Sequence, residues 1–357
     1  MKILIPVLGF GRGGGYRVLS KLADEWIRQG HQVDFICPFA SDEPYFPTIA
    51  RILWIDDLGR VRQSRSPSGK QNGWRYVSAL FFGLSRIARH YDIVLANQSL
   101  TAWPVALTNM GSAKRCYYVQ AYEPEYYALE VGFKSGLLQW VSAASYWFNL
   151  HQICNAPVYV GYRNVRAVEW APPGIDFGVF YPRSKVDTLN GRDQIVLGCV
   201  GRHEPAKGTR FVLKAFEDLY AKDGRYRLRV AFGNLPAAFH HPAVEIVVPR
   251  NDSELAEFYR SLDVLIAPGT VQLGAPHYPV MEAMACGVPV VNTGYFPSNS
   301  DNSWLVDVES AASIVSVVSD LVTDDRLNEK VDRAMRDIAP FEWGSVAGKM
   351  VKWFSSL

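Results

Sequence analysis

Lys2-Ile3-Leu4-Ile5-Pro6-Val7-Leu8 runs directly into Gly9-Phe10-Gly11-Arg12-Gly13-Gly14-Gly15. A short, unbroken apolar run suits a strand buried on both faces of a parallel sheet. Beyond the glycines, Val18, Leu19, Leu22, Ala23, Trp26 and Ile27 recur at helical spacing, and Gly30 stands where a helix ends. Residues 32–37 read as the next strand. Strand, glycine turn, helix, strand is the opening unit of a doubly wound α/β domain.

The alternation continues outward. Further strands are expected at 92–96, 115–119 and 156–160, with a helix over 135–150. Alternating strands and helices imply a parallel sheet with right-handed crossovers. Ala171-Pro172-Pro173-Gly174 then stops any regular element, and residues 183–192 are polar and unpatterned. A second series starts with a strand at 195–200, the loop Gly201 to Gly208 and a helix through Tyr220. Strands at 228–232, 245–248, 264–267 and 288–292 follow, with helices at 253–261 and 278–286, and an amphipathic helix over 341–354 ends the chain. The expected division is 1–172, joined by 341–357 crossing back, and 173–340. Two parallel α/β domains on a Pro-rich linker leave a cleft at the carboxyl ends of their sheets, where open α/β folds bind ligands.

Composition narrows the class. The 357 residues are 48% hydrophobic and 20% charged, which is ordinary for a globular chain. Thirty-seven Lys and Arg against 35 Asp and Glu leave a formal charge of +2, too balanced for a dedicated nucleic-acid binder. Five scattered cysteines with no CxxC pair argue for a reducing compartment and against a disulfide scaffold or structural zinc. The opening apolar run is too short for a secretory leader, and no run reaches the ~18 apolar residues of a membrane span, so a cytoplasmic protein is expected.

Three loops carry chemistry. In the first, Gly9 to Gly14 matches GxGxxG, whose backbone amides can approach an anion at a helix start. Tight strand–helix packing accounts for such a turn equally well, and the acid that a dinucleotide site wants about twenty residues on would be Asp34. The second is Gly201-Arg202-His203-Glu204-Pro205-Ala206-Lys207-Gly208. An arginine fork and a mobile lysine charge on one loop can converge on a diphosphate; two solvated surface cations are the plain alternative. In the third, Gly274-Ala275-Pro276-His277 leads into a helix whose only carboxylate, Glu282, sits among apolar neighbours. Such a carboxylate needs hydrogen-bond donors, which a ribose diol would supply, unless it is merely exposed.

Together with Ala171-Pro172-Pro173-Gly174-Ile175-Asp176 and Pro279-Val280-Met281-Glu282-Ala283-Met284-Ala285-Cys286-Gly287-Val288-Pro289, these loops resemble the GT-B-fold retaining glycosyltransferases of family four, in the family's own order and over nearly the whole chain. The resemblance implies that Arg202 and Lys207 hold the diphosphate of a nucleotide-sugar donor, that Glu282 holds the ribose, and that Gly14 and Gly15 approach the leaving phosphate. It implies no cofactor besides that donor. No Asp-x-Asp motif occurs, so no metal is expected.

Two departures stand out. The family's first glutamate, eight positions before Glu282, is Gly274 here, and Ala275-Pro276-His277 replaces the usual Gly-Phe-Gly. His277 and the amides of Ala275, His277 and Tyr278 are then the groups left to read the sugar, since Pro276 offers no N–H. On the acceptor side, Gln120 takes the place of a histidine, in the segment Tyr118-Val119-Gln120-Ala121-Tyr122-Glu123-Pro124-Glu125. Gln120 and Glu123 are its candidate catalytic residues. Of its neighbours Tyr117, Tyr118, Tyr122, Tyr126 and Tyr127, some could stack on sugars and others pack the core.

Residues 58–91 hold no acid but Arg60, Arg62, Arg65, Lys70, Arg75, Arg86 and Arg89, interleaved with Trp74, Tyr76, Phe81 and Phe82. That pattern suits peripheral contact with an anionic inner membrane face, and also a solvated loop before a packed helix. The expected function is retaining sugar transfer from a nucleotide-diphosphate sugar to a saccharide or lipid-linked acceptor, in polysaccharide or glycoconjugate assembly and without nucleic acid. The rival readings are a non-catalytic nucleotide-sugar binder, an NAD-dependent oxidoreductase built on the first glycine turn, and a GT-B epimerase.

Overall fold

The computed structural model describes residues 1–65, 73–128, 132–162, 164–183 and 188–357. Lys70 of the basic stretch lies outside them. The chain forms two compact units, residues 1–174 with 343–357, and residues 175–342.

The first unit is built on β1 (Lys2–Pro6), α1 (Gly14–Arg28), β2 (Gln32–Pro38), β3 (Arg51–Ile55), β4 (Val61–Arg62), α2 (Gly73–Ile87) and β5 (Ile93–Ala96). It continues with α3 (Ser99–Leu107), β6 (Lys114–Val119), α4 (Glu123–Ala128), α5 (Phe133–Ser145), β7 (His151–Cys154) and the short α6 (Pro157–Val160). Its seven strands lie in the order β4-β3-β2-β1-β5-β6-β7, parallel throughout except for β4 against β3. The helical spacing read from the sequence becomes the buried face of α1: Val18, Leu19, Leu22, Ala23 and Trp26 are all covered. Each larger side chain so buried contributes roughly 1.5–3 kcal/mol. The helix ends at Gly30, whose φ of +86° lets its N–H turn back onto the Ile27 carbonyl.

One expected strand is corrected. Ala156 is extended, but residues 157–160 form α6, because Pro157 occupies a helix start where its fixed φ is favourable and its missing N–H costs nothing. The strand lies just before it, at β7, paired with β6. β3 and β4 were not visible in the sequence, where β3 shows only a half-covered face and β4 spans two residues.

The second unit comprises β8 (Ile195–Val200), α7 (Thr209–Lys222), β9 (Tyr226–Ala231), β10 (Val244–Val247), α8 (Asp252–Arg260), β11 (Val264–Ala267), α9 (Tyr278–Ala285), β12 (Val290–Asn292) and β13 (Trp304–Leu305), followed by α10 (Ala311–Val322) and α11 (Leu327–Ile338). Its six strands, all parallel, run β10-β9-β8-β11-β12-β13. Apolar cores line both faces, one including Phe216 of α7 and Val318 of α10, the other Tyr259 of α8 and Met281 of α9. The last helix, α12 (Trp343–Ser356), belongs to the first unit. Trp26 of α1 donates its indole N–H to the Ala347 carbonyl (3.1 Å) and meets Phe354 edge-on at 5.5 Å. Trp343 lies so close to Gly174 that a Cβ there would come within 2.4 Å of the indole.

In each sheet the strand order reverses once, between β1 and β5 and between β8 and β11. Both glycine loops therefore follow strands at a switch point, where open α/β sheets bind ligands. Asp34, the expected dinucleotide acid, is otherwise engaged. It is buried in β2, takes two bonds of 2.8 Å from Arg51, and accepts from the Tyr91 hydroxyl (2.6 Å) and Gln32 (2.9 Å). Burial alone would raise its carboxyl, but the bonds from Arg51, Tyr91 and Gln32 hold it below the ordinary value. A depressed carboxylate stabilises the fold above its unfolded pKa and loses that contribution as pH falls through the folded value. Asp34→Asn should therefore lower the urea midpoint at neutral pH by the equivalent of about 1–3 kcal/mol, mostly from lost bonds to a buried oxygen since Arg51 is largely exposed. The difference from the native chain should shrink toward about pH 3. Equal midpoints at pH 7 would contradict this assignment.

Candidate functional site

In the second unit two loops meet at the switch point. The loop after β8 needs glycine at both ends. A Cβ on Gly201 would lie 1.7 Å from the Gly233 carbonyl oxygen, and one on Gly208 2.0 Å from that of Pro268. Gly208 also has a φ of +75°, a region that favours glycine. Between them the backbone is pinned. The Thr209 hydroxyl accepts from the Arg202 N–H and donates to its carbonyl, both at 3.1 Å, and Asn234 donates to the Gly201 carbonyl at 3.0 Å. The Thr270 N–H reaches the Ala206 carbonyl at 2.9 Å, tying this loop to the one after β11.

Arg202, Lys207 and His277 thereby line one narrow pocket of about 20 Å³, floored by Cys199, Ile266 and Pro268. Arg202, Thr209 and Asn234 also border a second, wider pocket of about 210 Å³. Arg202 is exposed and Lys207 half-buried. Burial and then the Arg202 charge lower the Lys207 ammonium from its ordinary value. Arg202 and Lys207 thus share one loop and one pocket, with the arginine charge felt at the lysine, an arrangement that suits an anion.

His277 precedes α9 and stacks on Tyr295 at 4.5 Å. Its Nδ1 is buried without a hydrogen-bond partner. Burial first, then the charges of Lys207 and Arg202, press its pKa well below the usual imidazole range, so the ring is neutral at pH 7. Of the amides expected to face a sugar, that of Ala275 is already used, donating to the Gln272 carbonyl at 3.0 Å. Tyr278 opens α9 and packs against the core. Gly274 has a φ of +82°, so the backbone where relatives carry glutamate is in a conformation that favours glycine. Glu282 is 2% exposed, which removes the reading of a merely exposed acid, and one carboxylate oxygen accepts from the Tyr259 hydroxyl at 2.9 Å.

In the first unit, Gly14 and Gly15 open α1. A Cβ on Gly15 would sit 3.2 Å from the amide oxygen of Gln120, so two residues singled out from distant segments are neighbours. Asn155 donates to the Gln120 carbonyl and holds it at the end of β6. Glu123 is committed elsewhere: one oxygen accepts the Ser99 N–H (2.7 Å) and the other the Ser99 hydroxyl. It is a tertiary cap for α3, and burial raises its carboxyl despite those two bonds. Tyr117 and Tyr118 are fully buried, Tyr118 donating to the Ala171 carbonyl at 2.8 Å, and so serve the core. Tyr122 stacks on Tyr146 (5.4 Å), and Tyr126 is exposed.

Thr209, Asn234 and Tyr295 were missed by sequence reasoning. Thr209 had one available signal, its place directly after Gly208 at a helix start. The other two are ordinary residues after strand ends, whose partners come from elsewhere in the chain.

Residues 12–160 match Glycosyltransferase Family 4, and residues 194–324 match Glycosyl transferases group 1. A D-inositol 3-phosphate glycosyltransferase of Corynebacterium glutamicum is 27% identical over 207 residues, 50% of this chain and 49% of that protein. One from Stackebrandtia nassauensis is 34% identical over 145 residues, 34% of this chain and 32% of its own. The chain thus spans about half the length, or less, of the curated relatives it matches. Among solved structures, sucrose-phosphate synthase from Thermosynechococcus elongatus superposes with a TM-score of 0.75 at 16% identity, covering 100% of this chain and 98% of that one. Anabaena HepE in complex with UDP-glucose superposes at 0.70 with 17% identity and full coverage of both chains. With two parallel-sheet units of this topology and a glycosyltransferase family domain in each, the chain belongs to the GT-B-fold glycosyltransferases of family four and group 1.

Proposed function

We propose that the protein transfers a sugar, with retention, from a nucleotide-diphosphate sugar to a saccharide or lipid-linked acceptor in glycoconjugate assembly. The observation that carries this reading is the pocket in which Arg202 and Lys207 converge beside the neutral His277. A diphosphate suits it: the guanidinium offers a planar fork and the ammonium a point charge. The UDP-glucose bound by HepE supports a nucleotide-diphosphate sugar as the donor, and the inositol 3-phosphate glycosyltransferases support sugar transfer.

The chemistry is electrostatic. As the bond from the sugar's anomeric carbon to the leaving phosphate oxygen breaks, Arg202 and Lys207 stabilise the charge that accumulates on the diphosphate. The acceptor oxygen bonds to the anomeric carbon on the same face, and its proton passes to the departing phosphate oxygen. No separate protein base is required, which agrees with Glu123 being tied to Ser99. Its part is then positional, at the head of α3. Gly14, Gly15 and Gln120 form the polar group of the first unit assigned to the leaving phosphate and the acceptor. Glu282, held by Tyr259, is assigned to the ribose.

The double variant Arg202→Ala, Lys207→Ala should weaken nucleoside-diphosphate binding at least 100-fold by calorimetry, since each charge-assisted bond is worth about 1.5–3 kcal/mol. Circular dichroism and thermal unfolding should remain those of a folded chain. Near-native turnover in that variant would overturn the reading.

His277 gives a pH signature. Burial is the larger cause of its lowered pKa and persists on binding, but a bound diphosphate offsets the smaller effect of Lys207 and Arg202 and so raises that pKa. Affinity for a nucleotide sugar should then strengthen as pH falls through the bound-state pKa of His277. The dependence should be absent in His277→Ala, and identical profiles would exclude the histidine. If His277 reads the sugar in place of the missing glutamate, His277→Ala should also change the ranking of kcat/KM among donors by about ten-fold, the worth of one buried hydrogen bond. Gly274→Glu should not restore a conventional donor site without a stability loss of about 1–2 kcal/mol, because its backbone conformation disfavours a side chain.

A further inference from the structure

The first unit leaves unusual apolar surface in water. Helices α2, α3 and α5 pack side by side, with α3 in the middle. Trp103 of α3 donates its indole N–H to the Val141 carbonyl of α5 (3.2 Å) and meets Phe148 edge-on at 4.7 Å. On α5, Phe133, Leu137 and Trp140 follow at i, i+4 and i+7, one stripe of the helix, and all are exposed, Phe133 by 91% and Trp140 by 60%. On α2, Trp74 and Phe81 are likewise seven apart and exposed. An open groove of about 240 Å³, lined by Trp74, Phe81, Phe82, Trp103 and Leu107, runs between α2 and α3. Exposure of this many large apolar side chains on three helices packed side by side marks an interaction surface.

We propose that this three-helix face docks on a bilayer containing anionic lipid. Charge selects the occupant. None of the three helices contains an aspartate or glutamate, while Arg75, Arg86 and Lys134 lie on them and Arg89 just beyond α2. Indole and phenyl rings on helices that carry cations and no acids of their own are the composition that settles at the headgroup level of a membrane. A second copy of the same face would bring like charges together. The structure also changes which residues matter from those of the 58–91 stretch. Arg62, Arg65 and Arg75 are engaged by Asp56, Glu43 and Asp57, and Tyr76 is buried. The proposed membrane-facing elements are instead the exposed rings of α2 and α5, with Arg86 and Lys134 on the same helices and Arg89 just beyond α2. The docking stands independently of the donor chemistry, and gives the lipid-linked reading of the acceptor a physical basis.

Flotation of the full chain with phosphatidylcholine vesicles, with and without about a third phosphatidylglycerol, tests the face. Binding is expected to the anionic vesicles alone, to weaken with salt, and to shift tryptophan emission to the blue. Phe133→Ser with Trp140→Ser, and separately Trp74→Ser with Phe81→Ser, should each reduce the partition coefficient at least ten-fold. Lys134→Glu should weaken it at moderate salt. Nucleoside-diphosphate binding, measured on the same proteins, should be unchanged, so a failed donor site and a failed docking face give different results. No binding to anionic vesicles, equal binding by the paired serine variants, or a solution dimer that those variants dissociate would each overturn the proposal.

Discussion

The close approach of bare backbone at Gly201 and Gly208 is the constraint on which the second unit's site depends. At both positions another main-chain carbonyl occupies the space that a Cβ would need, Gly233 on one side and Pro268 on the other. The loop after β8 is thereby pressed onto the loop after β11, and Thr209 and Asn234 complete the polar connections. Only in that compressed arrangement do Arg202, Lys207 and His277 share one pocket. The electrostatic consequences follow from the packing: a lysine with a lowered pKa, and a histidine kept neutral by burial and two nearby cations.

The first unit uses similar topology with different polar anchors. Asn97 reaches from the end of β5 to the Pro6 carbonyl at the end of β1 (2.6 Å), and Asp34 gathers Arg51, Tyr91 and Gln32 around β2. Glu123 caps α3 across sequence distance, and Asn155 fixes Gln120 against Gly15. In the second unit the comparable anchor is Asn292, fully buried at the end of β12, whose side-chain oxygen accepts from Gly294, Tyr295 and Ser298. That anchor orients Tyr295 for its stack on His277. Two Rossmann-like sheets can therefore carry separate tasks, because the loops at their switch points are held by independent polar networks.

Net charge concealed a local asymmetry. A formal +2 over 357 residues suggests an even surface, yet α2, α3 and α5 are free of acids and rich in exposed aromatic rings. Several arginines that made residues 58–91 look strongly basic are matched by carboxylates outside that stretch. Charge counted along a chain and charge presented on a face are different quantities, since ion pairs form between segments that only the fold brings together.

The sequence by itself determined the two-fold repetition of strand, loop and helix, because burial in a parallel sheet leaves short apolar runs and amphipathic helices that survive any tertiary context. It also identified the glycine-flanked cationic loop and the isolated Glu282, both legible from residue type and spacing within one segment; that Gly274 stands where a glutamate is usual followed only from the family resemblance. Tertiary structure alone decided what each of these touches. That Asp34 serves an arginine in the sheet, that Glu123 is a cap, that Ala275 spends its amide on Gln272, and that Gly15 meets Gln120 are facts about residues distant in sequence or about turns whose local signals are weak. The strand expected at 156–160 failed for the same kind of reason: a short apolar run suits helix or strand, and Pro157 with the pairing of β6 and β7 settled it. Periodicity is local and can be read along a chain; the partner of a buried polar group is not local, and only the packed fold supplies it.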